Sequence, residues 1–180
     1  MMTQLVAHIK SLNAKSKAWM DAEPGRWAGM LVEDPAHWAE YGVHTVEDFE
    51  RYQLETSIYE GYKDAYGIKG RHYDFASMSM DELRAEADRI SQAAQETFER
   101  EQEDARRAVA AFEAEVARTI SYGAGNRETA LRWMTQEETF CHSQDVEHWV
   151  WNRGILFTDE GRALVIELMT IITFKDWEAA

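Results

Sequence analysis

The chain has 180 residues, enough for one ordinary core or for a core plus a projecting helix. An apolar content of 45 % with seven each of Trp, Tyr and Phe excludes disorder, and only two prolines and ten glycines favour helices. A net charge of −14 excludes direct binding to a nucleic-acid backbone, which takes clustered Lys and Arg.

That charge is unevenly placed. Residues 1–32 carry +2, 33–66 carry −7, 67–78 carry +1, and 79–122 and 123–180 carry −5 each. The pattern describes either a well-solvated surface or an acidic face aimed at a basic partner. The single cysteine, Cys141, excludes an intramolecular disulfide and suits a reducing compartment, so a cytoplasmic protein is expected. No apolar run has the length of a signal-peptide core or a membrane span.

Residues 3–22 read as a first helix, with Leu5, Ile9, Leu12 and Trp19 forming a narrow stripe beside Lys10, Lys15 and Lys17. Pro24-Gly25 ends it. A short helix is expected after Pro35, with Asp34 as its N-cap and Pro35 at the first helical position. Trp27 and Trp38 are expected as core anchors, because aromatic burial dominates small cores.

Thr45 opens a second strong helix that runs to Gly67. Phe49, Tyr52, Tyr59, Tyr62 and Tyr66 recur at helical spacing and are expected to pack against the long helix that follows. Glu47, Glu50, Glu55, Glu60 and Asp64 supply an acidic exterior. The segment Gly67 to Phe75 is the one basic interruption, gathering Lys69, Arg71, His72 and Tyr73 in a glycine-bearing loop. It lacks the Gly-Lys-Ser/Thr and the preceding strand of a phosphate loop.

Residues 79–122 form the longest readable element. Ser79 and Glu82 have the spacing of a capping box, and no Gly or Pro follows until Gly123. Leu83, Ala87, Ile90, Ala94 and Phe98, then Ala105, Val109, Phe112, Val116 and Ile120, share one face. Unbroken, such a helix spans roughly 65 Å. The charged run Glu99 to Asp104 interrupts the stripe, but nothing in it breaks a helix, so continuity is expected. With no partner helix of similar length in the chain, the stripe points to a homodimer.

Shorter helices follow, capped by Asn126, Ser143 and Thr158, with Ile155-Leu156-Phe157 as a short extended stretch. The run Leu164 to Ile172 is the most apolar and is expected at the centre of a carboxy-terminal lobe. The prediction is an all-α single domain, 1–180. It comprises amino-terminal helices (1–78), a long central helix (79–122) and a helical lobe (123–180).

Chemistry-bearing constellations are sparse. Cys141-His142 with Asp145 and His148 is the best metal candidate, and Asp34 and His37 repeat the three-residue spacing. A single cysteine argues against structural zinc, and no nucleophile elbow occurs. No cofactor is expected, and catalysis ranks below binding.

The runs Tyr62 to Phe75 and Ser77 to Leu83, with Ala130-Leu131-Arg132-Trp133-Met134 and Gly154-Ile155-Leu156-Phe157-Thr158, resemble small acidic proteins of tailed bacteriophages. The resemblance covers residues 45–175 and implies an origin in an infected bacterial host; it carries no activity or site residue with it. The expected function is a non-catalytic accessory protein that binds a host protein. An anti-defence or host-takeover inhibitor presenting a nucleic-acid-mimicking acidic surface fits that setting. Glu47, Glu50, Glu55 and Asp64 are the expected contacts, with Lys69, Arg71, His72 and Tyr73 as a second set. An assembly protein oligomerising through the long helix is the alternative, and a small metal-dependent enzyme the next.

Overall fold

The computed structural model describes residues 2–175. Every regular element among them is helical. In chain order these are α1 (Met2–Asp21), α2 (Pro35–Ala39), α3 (Val46–Tyr66), α4 (Met80–Thr119), α5 (Arg127–Thr135), α6 (Ser143–Trp151) and α7 (Asp159–Ile171). A 3-10 turn at Phe75–Ser77 precedes α4, and a wider π-type turn at Ile120–Ala124 follows it. The chain divides into two compact units, Met1–Thr97 and Phe98–Ala180, with the boundary inside α4.

Local chemistry sets the helix ends. Asp34 accepts from the Ala36 amide at 2.9 Å, with Pro35 in the first turn. Thr45 and Asp48 form a reciprocal capping box at α3, and Ser79 and Glu82 form another at α4. Gly67 closes α3 at φ 77°, the left-handed region that a side chain resists. The run Glu99 to Asp104 stays helical. The regular winding of α4 stops at Thr119, before Gly123, which takes φ 117° inside the π-type turn.

In the first unit the apolar residues form two small cores. Leu5 and Ile9 of α1 meet Trp38, Val43 and Phe49 in one. Ile58 of α3 meets Leu83 and Ile90 of α4 in the other, covered by Tyr62, Tyr73 and Phe75. Phe49 and Ile58 lie about two and a half turns apart, so α3 buries opposite faces toward its two ends. This corrects the expectation of one aromatic face on the long helix: Phe49 and Tyr52 pack with α1 and α2 instead.

The extended segment 26–34 has no ladder to satisfy its backbone, so side chains do it. Buried Asn13 donates from Nδ2 to the Leu31 carbonyl at 2.9 Å and accepts from the Leu31 amide at 2.8 Å. Trp38 Nε1 donates to the Val32 carbonyl at 2.6 Å. Trp38 is 5 % exposed, but Trp27, expected beside it in the core, is 80 % exposed on this segment.

The second unit holds one larger core. Phe112 and Val116 of α4 meet Leu131, Val146, Trp149, Val150, Leu164 and Leu168. The run from Leu164 to Ile172 is central, as expected, although Ile166 and Met169 face outward on the far side of α7. Ile155 to Phe157 form a turn, not an extended stretch, closed by the Thr158 amide on the Ile155 carbonyl at 2.9 Å. Gly161 allows that turn to lie on α7, since a Cβ there would penetrate the Ile155 carbonyl. His142, one residue before Ser143, is the N-cap of α6. The Asp145 carboxylate takes the Cys141 and His142 amides at 2.7 and 2.8 Å.

Each half of the α4 stripe is thus covered by helices of its own unit. Phe98, 55 % exposed, belongs to neither cluster.

Candidate functional site

The loop after α3 is fixed by a polar network. Buried Gly70 donates to the Tyr59 carbonyl at 3.3 Å and lies under the Tyr73 ring, which a Cβ would press at 3.0 Å. The Tyr73 hydroxyl donates to Glu86. Arg89 grips both oxygens of Glu86 at 2.8 and 2.6 Å and also reaches the Tyr66 and Tyr73 hydroxyls at 2.9 and 3.3 Å. Arg89 holds the Glu86 carboxyl below its usual range, while burial and then the Glu86 carboxylate push the Tyr73 phenol up to about 12. A phenol so disposed stays protonated at neutral pH and cannot serve as a base. The network anchors the loop to α4.

Several of the carboxylates on the α3 exterior are paired with cations of the same unit. Glu47 and Asp64 are exposed. Glu50 pairs with Arg84 at 3.5 Å, Glu55 with Arg51 at 2.8 Å, and Glu60 with Lys69 at 2.9 Å. Lys69 also sits 5.1 Å over the Tyr59 ring. Arg71 is exposed, and the His72 ring lies 4.2 Å from Tyr73 and 4.9 Å from Tyr62. The basic loop therefore neutralises part of the α3 exterior. Arg51 had no assigned role in the sequence; it donates to the Met78 and Phe75 carbonyls and so holds the turn that launches α4.

The second unit carries an open cleft of about 610 Å³. Glu101, Gln102, Ala105 and Arg106 line it from α4, and Phe157, Asp159, Glu160 and Arg162 from the start of α7. Phe157 is 80 % exposed at its edge. Both cations are already engaged: Arg162 with Asp159 at 2.5 Å and Arg106 with Glu103 at 2.9 Å. Glu101 and Glu160 have no ion pair among the described residues, so the cleft is acidic beside an exposed ring. The reading of 155–157 as extended missed this site. A signal was present: an apolar residue just before an N-cap normally staples to an apolar residue at the fourth helical position. Here that position is Arg162, so Phe157 has no staple partner.

The candidate metal ligands serve other ends. Asp145 accepts two amides and is held below its ordinary value by them. His148 stacks on Trp151 at 5.6 Å. Asp34 caps α2, and His37 packs edge-on against Trp38 at 5.1 Å. Among the described residues no three His, Cys, Asp or Glu side chains converge on one point, and no helix is long and apolar enough to cross a membrane.

Comparison of the chain with protein-family models, curated proteins and solved structures finds no match to any of them.

Proposed function

We propose that this chain is a non-catalytic acidic accessory protein of phage type that acts by binding a basic host protein. The observation that carries the reading is the cleft of the second unit, where exposed Phe157 lies beside Glu101 and Glu160. An aromatic anchor flanked by uncompensated carboxylates suits a segment that alternates Lys or Arg with apolar side chains. The net charge of −14 steers such a partner toward the surface. The phage resemblance supplies the setting, an infected bacterial cell.

A synthetic peptide of alternating Lys and Leu, labelled for fluorescence anisotropy, tests this directly. Saturable binding is expected, weakening as salt rises from about 0.05 to about 0.5 M because the attraction is screened. Phe157→Ala and the double change Glu101→Gln with Glu160→Gln are each expected to weaken it about tenfold or more. Glu47→Gln should leave it unchanged. Affinity indifferent to salt and to Phe157→Ala would remove the cleft from the proposal.

A further inference from the structure

Arg153 is the least conventionally placed cation of the chain. It leaves the carboxy-terminal end of α6 and lays its guanidinium carbon 3.2 Å from the Trp149 ring centroid. Its Nη1 donates to the Trp149 carbonyl at 3.1 Å. Among the described residues its Nε is buried with no acceptor, and so is the indole Nε1 of Trp149. Two donors stranded side by side out of water are costly unless something accepts from the group. Burial lowers the affinity of Arg153 for its proton, opposed by the fields of Glu115 and Glu138.

Arg153 lines a small notch of about 240 Å³ together with Arg118, Glu115, Phe112, Ala108 and Ala111. Neither Arg118 nor Arg153 has a carboxylate within ion-pair distance among the described residues, in a chain where acids outnumber bases 33 to 19. Five other arginines of the same unit do: Arg106 and Arg107 with Glu103, Arg127 with Glu113 and Glu167, Arg132 with Glu128, and Arg162 with Asp159. Both arginines line the one notch, and their donors not used within the chain are thus left for an outside acceptor.

We infer that the Arg118–Arg153 notch binds a carboxylate group. Two guanidiniums match the two oxygens of a carboxylate, each through charge-assisted hydrogen bonds. Glu115 sets the charge of the guest. With it the lining sums to one positive charge, which a monoanion balances and a phosphate dianion exceeds. The carboxylate belongs either to the end of a peptide or to a free small acid, and the notch reads the same chemistry in both.

The test follows the Trp149 indole N–H and the Arg153 Nε–H by ¹⁵N NMR on the full chain, at ionic strength held constant with chloride. The probes are acetate, N-acetyl-glycylglycine, the amide of that peptide, and inorganic phosphate. Acetate and the acid peptide are expected to shift both resonances saturably, and the amide to leave them in place. Tighter binding of the peptide assigns the site to chain ends, and equal or tighter binding of acetate to free acids. Arg118→Gln, on an exposed side chain, is expected to weaken either ligand about tenfold with the melting temperature unchanged. Arg153→Gln should abolish binding, and a melt shows whether that variant folds. Shifts linear in concentration, an amide as effective as the acid, or phosphate saturating first would each overturn the inference.

Discussion

The two units solve the same problem with different materials. The first divides its apolar residues between two small clusters on opposite faces of α3 and relies on polar side chains to hold what they leave loose. Asn13 ties down segment 26–34, and Arg51, Glu86 and Arg89 tie down the loop and turn before α4. The second gathers thirteen of its described residues into one buried cluster. A core made in one piece keeps more neighbours around each side chain. The second unit is therefore expected to be the sturdier, and the first to open at lower cost.

The sharpest way to break this comparison is to cut one core in each unit. Phe49→Ala is expected to cost about 3–5 kcal/mol and Leu168→Ala about 2–5 kcal/mol. Amide hydrogen exchange should show Phe49→Ala releasing α1, α2 and the start of α3 while protection in α6 and α7 persists. Simultaneous loss of protection in both units would show that α4 makes them one cooperative body. Gly161→Ala comes next, at about 3 kcal/mol, because the added Cβ must displace the Ile155 backbone. A thermal melt should show the loss, with the exchange pattern of the first unit unchanged.

Tyr73→Phe probes the polar side of the contrast and is expected to cost about 1 kcal/mol, since Arg89 still holds Glu86 after the phenol is removed. Its signature is in alkali. The folded phenol titrates near 12 and the unfolded one near about 10, so its contribution is complete below about pH 10 and is lost as pH rises toward 12. Phenolate absorbance should show one tyrosine ionising late in the wild type and not in the variant.

The smallest effect is shared by both units. Asp48 accepts the His44 and Thr45 amides at 3.0 and 2.9 Å, and Asp145 the Cys141 and His142 amides, and these bonds hold both carboxyls below their ordinary value. Their stabilisation is present above about pH 4 and disappears as pH falls from there through the folded values. Helicity followed by circular dichroism should fall with acid in that window, less steeply in Asp48→Asn and Asp145→Asn.

Much of the fold was legible because caps and periodicity act over a few residues. Thr45, Ser79, Asn126 and Thr158 occupy the capping positions read for them, since a side-chain oxygen next to free amides needs no tertiary partner. Phe157 and Arg153 were not legible in the same way. An exposed ring and a buried guanidinium nitrogen without an acceptor are defined by what surrounds them, and part of that surrounding lies tens of residues away in α4. For the same reason Trp27 and Trp38, equal in composition, took opposite places.

By itself the sequence determined that the chain is helical, where its helices start, and that its surface is acidic. Each of these is a property of neighbouring residues or of the sum of charges. Only the tertiary structure decided which carboxylates are spent on arginines of the same chain, that α3 is buried on opposite faces, and which side chains remain free to meet another molecule. Those are questions of distance between residues far apart along the chain, and packing alone sets that distance.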